Sequence, residues 1–217
     1  MKSKDKFTLK RLEIVRCAEA IFSKRGYHGS SLASIANALQ MTKSNLFYYF
    51  KNKQEILYFC HEYSLDYLLE SLRQAKRDDS SPVAELRALI KAFVRVVVDE
   101  LQGTRMIVNL DPLSPSQYRK VCAKRDKFEA GVRRIVARGM ESGLFEVRSP
   151  KLSTFAILGA LNWISFWVDP EGPASASEIG DVFADYLVEG LLVNNGRREM
   201  LRPRVSKSEK NGVANLG

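Results

Sequence analysis

The chain has 217 residues, with 34 Lys and Arg against 25 Asp and Glu, and a formal net charge of +9. That length accommodates one small domain beside a larger one with a real core, and the absence of any run of about eighteen apolar residues, or of an apolar stretch behind the charged start, argues against a membrane span or a secretory signal. Three cysteines (17, 60 and 122) without paired metal spacing point to reduced thiols in a cytoplasmic protein and against a disulfide scaffold.

The first segment, MKSKDKF, is a basic arm. A helix follows it, with Leu12, Val15, Ala18, Ile21 and Phe22 as its packing face; Phe22 and Tyr27 are read as core. Residues 31–53 then read as two short helices around a tight turn. Leu32, Ile35, Ala36 and Leu39 form one apolar face, Gln40-Met41 interrupts, and Thr42 caps the next helix. This second helix, about two turns long, exposes Lys43, Ser44, Asn45, Tyr48 and Tyr49 and buries Leu46 and Phe50. The shape fits a major-groove reader or an ordinary helical hairpin equally well. Charge separates the two. Residues 1–53 carry eleven bases and three acids, net +8; residues 54–193 carry seventeen bases and twenty acids, net −3. A solvated face would mix signs, whereas a one-sided basic module suits double-stranded DNA, since affinity comes from neutralising phosphates.

The remaining chain reads as helix throughout, with no period-two run bounded by hairpin turns. Asn52-x-x-Glu55 caps a linking helix over about 53–76, and Asp78-Asp79-Ser80-Ser81 breaks it before Pro82 opens a helix to about 101. Ser114-Pro115-Ser116-Gln117 is a capping box for a long helix that Gly143 closes. Ser149-Pro150 opens the next, to about 168, and Ser175-x-x-Glu178 the last, to about 194; residues 196–217 form a basic mobile tail.

The last two helices are apolar on more than one side. Phe155 and Gly159 on one, with Phe183, Tyr186, Leu187 and Gly190 on the other, are candidates for a four-helix homodimer interface or for plain core. Phe93, Val97, Met106, Leu110, Tyr118, Phe128, Trp163 and Trp167 are candidates for an adaptable ligand cavity, and they are also ordinary core residues. Arg119, Lys120, Lys124, Arg125, Arg133 and Arg134 crowd one helix. They form either a basic mouth for an anionic amphiphile or a solvated face balanced by Asp126 and Glu129.

The run GYHGSSLASIANALQMTKSNLFYYFKNKQEIL (26–57) resembles the DNA-binding domain of TetR-family transcriptional regulators, through Gly29, Ser30-Ser31, Ile35-Ala36, Leu46-Phe47-Tyr48-Tyr49-Phe50 and Lys53. Two positions depart from the family pattern: Gln40 replaces a turn glycine, and Phe47 replaces a tyrosine that often bonds a phosphate. The resemblance implies an all-α fold, with a three-helix head at 1–52 and a ligand-binding and dimerisation domain at 53–195, about nine helices in all. It implies base-edge contacts from Lys43, Ser44 and Asn45 at the tip of the reading helix, near Thr42. It also implies phosphate or backbone contacts from Ser31, Phe47, Tyr48, Tyr49 and Lys53. Residues 125–173 are similar to family members that control fatty-acid, aromatic-acid and steroid degradation, through Arg125-Asp126, Gly143-Leu144-Phe145, and Asn162-Trp163 with Trp167 and Pro170. Several of those answer to acyl-CoA thioesters. The candidate ligand set is therefore Phe93, Met106, Arg119, Arg125, Phe128, Asn162, Trp163 and Trp167.

The expected function is a dimeric repressor of a palindromic operator, released by a small amphiphile, best matched by an acyl-CoA. The rivals are a multidrug- or lipophile-responsive efflux repressor and a ligand-independent regulator. His28 and His61 lack neighbours at metal or triad spacing and no phosphate-binding glycine loop appears, so neither an enzyme nor a metal or cofactor is expected.

Overall fold

Side-chain caps mark where most of the helices begin. The computed structural model describes residues 5–77, 81–102, 105–169 and 172–193, and the expected basic tail and the start of the N-terminal arm lie outside them. Helix α1 (Lys6–Arg25) starts where the Asp5 carboxylate accepts the Thr8 amide at 2.6 Å. α2 (Leu32–Ala38) starts at a reciprocal Ser31–Ser34 capping box, and α3 (Lys43–Tyr49) at Thr42, whose hydroxyl accepts the Asn45 amide. α4 (Lys53–Arg77) begins where the Asn52 side chain accepts the Glu55 amide at 2.8 Å. α5 (Pro82–Arg95), α6 (Pro115–Glu141), α7 (Pro150–Trp167) and α8 (Ala176–Glu189) open on Ser81, Ser114, Ser149 and Ser175. Pro follows the cap in the first three, where its missing N–H leaves nothing unpaired. A 3-10 turn covers Arg105–Val108, and the described residues form no strand.

Two elements end differently from the sequence expectation. The helix opened by Pro82 does run to Glu100, but its last five residues, Val96–Glu100, are π-helical, closed by the Leu101 amide donating to the Val96 carbonyl at 3.1 Å. Helix α8 stops at Glu189, short of 194, because the next residues pair sideways: the Leu191 carbonyl accepts the Glu146 amide and the Val193 amide donates to the Leu144 carbonyl.

Helix α1 packs on α2 and on α4, and α2 on α3. Leu12, Val15, Ala18, Ile35, Leu46 and Phe50 form their shared core. In the body α4 packs on α5 and α6, α6 on α7, and α5 along α8, where Arg87 pairs with Asp185 and Lys91 with Asp181. Gly131 lets α6 approach α4 closely, since a Cβ there would lie 2.1 Å from Leu72 Cδ2. Among the described residues no helix is long and apolar enough to cross a membrane. The result is a long α4 that belongs to both assemblies: its first turns support α1 and its middle walls a cavity in the body.

Candidate nucleic-acid interface and cavity

The turn between α2 and α3 is a complete Schellman motif. The Met41 amide donates to the Ala36 carbonyl at 2.9 Å and the Gln40 amide to the Asn37 carbonyl at 3.1 Å. This geometry puts Gln40 at φ 53°, the left-handed region that favours glycine. Thr42 then caps α3 and fixes the angle at which it leaves the turn.

Leu46 and Phe50 anchor α3 in the core, while Thr42, Lys43, Ser44 and Asn45 are exposed at its N-terminal tip. Tyr48 is 72% exposed and Phe47 is exposed beside it, with the Lys43 ammonium 5.7 Å above its ring. Ser31 is exposed and its hydroxyl is engaged in the α2 cap. The sequence reading missed two residues of α1 that buttress this surface. Phe7 stacks on Tyr49 and meets Tyr48 edge-on, with centroids 5.2 and 5.7 Å away. The Arg11 guanidinium lies over Phe50 and Phe59 at 4.5 and 3.9 Å, and desolvation lowers its pKa. Aromatic–cation stacking across separate helices carries no local sequence period, so nothing in the spacing announced it.

Lys53 does not stand free for a phosphate. Its ammonium donates to the carbonyls of Tyr27 at 2.5 Å and Ser30 at 2.6 Å, with His28 O at 3.4 Å, and it sits 4.6 Å from the Tyr27 ring. Its N–H groups are occupied in tying the α1–α2 connection to α4.

The body holds a cavity of about 250 Å³ between α4, the α5–π-helix junction, α6 and α7. It brings together Phe93, Arg125, Phe128 and Asn162 of the expected ligand set, with His61, Val97, Asp126, Glu129 and Phe155. The other four lie elsewhere. Met106 lines a separate hollow against α1 and Leu57. Arg119 is exposed on an early turn of α6. Trp163, 61% exposed, stacks on Phe166, and Trp167 on Phe183, both on the outer face of α7.

The basic mouth is also corrected. Lys124 is drawn off to Glu62 and Asp66 on α4, Arg133 pairs with Glu129, and Lys120 and Arg134 are exposed. The lining carries one guanidinium, Arg125, against the carboxylates of Asp126 and Glu129. Desolvation lowers the Arg125 pKa. His61 is 1% exposed, and its Nε2 lies 2.8 Å from the Asn109 carbonyl. A carbonyl only accepts, so Nε2 carries the proton and Nδ1 is the acceptor. Burial, with a smaller contribution from Arg125, pushes the His61 pKa down to about 4.

Two sets of contacts join α1 to the body apart from α4. Arg16 donates to the carbonyls of Asp99 and Glu100, and the Glu19 carboxylate accepts the Arg105 amide at 3.2 Å. Along α7 and α8, Leu152, Trp163, Phe166, Trp167, Val182 and Tyr186 are open to solvent, the last 77% exposed, and Phe155 of the cavity lining is half exposed as well. Gly159 is exposed with open space above it, while Phe183, Leu187 and Gly190 are half-buried along the same two helices.

Residues 14–58 match the family of bacterial regulatory proteins named tetR, and residues 79–191 match the tetracyclin repressor-like C-terminal domain. Over 165 residues the chain is 24% identical to the HTH-type transcriptional activator FasR of Mycolicibacterium smegmatis, spanning 76% of this chain and 74% of FasR. The fold is similar to that of PfmR, a TetR family transcriptional regulator from Thermus thermophilus, with TM-score 0.72 and 30% identity over 83% of this chain and 99% of PfmR. It is also similar to AibR in complex with isovaleryl coenzyme A and operator DNA, with TM-score 0.65 and 25% identity over 84% of this chain and 98% of AibR.

Proposed function

Because this chain belongs to the TetR family of transcriptional regulators, we propose that it works as a two-fold dimer that reads a palindromic operator and lets go when an acyl thioester fills the body cavity. The reading head is residues 1–52 and the sensing and pairing domain residues 53–195. Lys43, Ser44 and Asn45, with Thr42 at the cap, meet base edges; Ser31, Phe47, Tyr48 and Tyr49 meet the sugar–phosphate backbone. The observation that carries this reading is the tip of α3, where a basic and amide-bearing run stands exposed above a fully buried Leu46 and Phe50. A helix so anchored presents its polar tip to a major groove at little entropic cost.

The outer face of α7 and α8 supports the dimer. Two tryptophans, two phenylalanines and a tyrosine left in water on adjacent helices form the kind of surface a second copy covers. Two-fold pairing places two α3 helices about 34 Å apart, one turn of duplex. Arg125 in the cavity wall supports an anionic effector, and the AibR complex supports an acyl-CoA. One observation favours a second effector class: Asp126 and Glu129 also line the cavity, Glu129 with Arg133 as its ion-pair partner. Two carboxylates suit a cationic lipophile of the kind an efflux repressor answers to.

The test is a titration of labelled DNA from the region flanking the gene, alone and with acyl-CoA thioesters, their free acids and cationic dyes. Release by a thioester alone fits the first reading, and release by dyes fits the second. Specific binding untouched by the whole panel removes the effector and keeps the regulator.

A further inference from the structure

A single leg between sensor and reading head is a hinge, whereas two legs define an angle. Helix α4 is the first leg: it follows α3 directly and walls the cavity with His61, Ser64, Leu65 and Leu68. We infer that Arg16 and the π-helical turn Val96–Glu100 form the second leg, and that Arg16 is the positioning residue that turns the state of the cavity into an orientation of α1 and hence of the reading helix. The inference deepens the regulatory reading given above and rests on it for its functional meaning.

Four observations converge on this turn. Val96 and Val97, its first two residues, face the cavity. Its last two carbonyls, of Asp99 and Glu100, accept Arg16: Nε reaches Glu100 O at 3.1 Å, and Nη2 reaches Glu100 O at 2.9 Å and Asp99 O at 3.1 Å. Glu100 is buried, and its carboxylate accepts the Tyr63 hydroxyl of α4 at 3.2 Å, so one residue joins both legs. Finally, the turn is π-helical inside an otherwise α-helical run. Such a turn holds one residue more than an α-turn, and single π-turns cluster at functional sites.

The π-turn is a two-state element. Each register satisfies the backbone, one through bonds to the fifth residue back and the other through bonds to the fourth. Conversion to α register moves everything after it by about one residue, roughly 1.5 Å of rise and 100° of rotation. The carbonyls of Asp99 and Glu100 would then point away from Arg16. An occupant pressing on Val96 and Val97 acts on the face where that choice is made, and only an occupant with different affinities for the two registers shifts it.

Hydrogen exchange on the full-length protein tests this without needing an effector or an operator. Val97→Phe puts a ring into the cavity from the turn itself, and Leu158→Phe fills the same cavity from α7 should the first variant fold poorly. Either is expected to change exchange over both 96–101 and α1. Combined with Arg16→Ala, the change over 96–101 persists and the change over α1 disappears; Arg16→Lys, which keeps charge and reach, restores part of it. An α1 response of equal size with and without Arg16, or no α1 response to either filling variant, overturns the inference. Isovaleryl coenzyme A supplies the functional arm. A thioester effect of fivefold or more on operator affinity in the parent protein falls below twofold in Arg16→Ala, while thioester binding to the protein alone stays within twofold. If the thioester has no effect on the parent protein, the effector reading fails, and the exchange experiment still decides the role of Arg16.

Discussion

Acid should loosen this protein through His61 well before its carboxylates matter. Unfolded, the imidazole takes a proton near 6.5; in the native cavity wall its pKa is about 4. Between those values the unfolded chain binds a proton that the native chain refuses, so stability is full above about 6.5 and falls as pH drops. At about 1.4 kcal/mol for each pH unit, the loss from pH 6.5 to 5 is about 2 kcal/mol per protomer, levelling off below the native value. The assay is urea denaturation at pH 7, 6 and 5 at one protein concentration, because a dimer's midpoint moves with concentration. The paired variant is His61→Gln, whose amide N–H still reaches the Asn109 carbonyl but does not titrate. The parent should lose about 2 kcal/mol relative to that variant over this window. Parallel curves for the two proteins would refute the argument, and so would a parent that gains stability on acidification.

Three further outcomes follow from the geometry. Gln40→Gly removes a left-handed backbone cost of about 1–2 kcal/mol and returns about half of it through glycine's freer unfolded chain, leaving a net gain of roughly 0.5–1 kcal/mol. That is a midpoint rise of about 1–4 °C in a thermal melt, and an equal gain from Gln40→Ala would show that the backbone angle is not the cause. Lys53→Met strands carbonyls of Tyr27 and Ser30 and should cost about 1–2 kcal/mol in denaturation while leaving the salt dependence of DNA binding unchanged; a salt slope reduced by about one would instead mark Lys53 as a direct phosphate contact. Tyr186→Glu, on the exposed α8 face, should convert the dimer to monomer in sedimentation without unfolding it, and an intact dimer would remove this face from the interface.

The fold was legible because its signals are local. Ser31, Thr42, Ser81, Ser114, Ser149 and Ser175 each announce a helix start through their own hydroxyl and the residues just after it, and all six do so in the structure. The tip of α3 was legible for the same reason: Leu46 and Phe50 lie four residues apart on one face, which leaves Lys43, Ser44 and Asn45 outside. The cavity was not. Six bases on one helix look like a positive field, but a helix distributes its residues around all its sides, and partners on other helices settle what remains. Lys124 is claimed by Glu62 and Asp66 of α4, more than fifty residues away in sequence. Trp163 and Trp167 join the candidate cavity set on their size and on the family resemblance of Asn162-Trp163 and Trp167. In the structure they stand 61% and 47% exposed while Leu161 and Ile164 of the same helix are buried, so the side of the helix decides burial where size does not.

The energies make the Arg16 leg sufficient for its proposed task. Coupling between an effector and an operator is usually about 1–3 kcal/mol. A hydrogen bond from a charged donor is worth about 1.5–3 kcal/mol when its partner is not left to water. Arg16 is half-buried, so its bonds to two carbonyls fall toward the low end of that range, and together they still match the coupling. No wholesale rearrangement of the body is then required. A change of register over the five residues Val96–Glu100 switches those bonds on or off, and the head, held by α4 and the Glu19–Arg105 contact in one state and by Arg16 as well in the other, is presented to DNA at one angle or released from it.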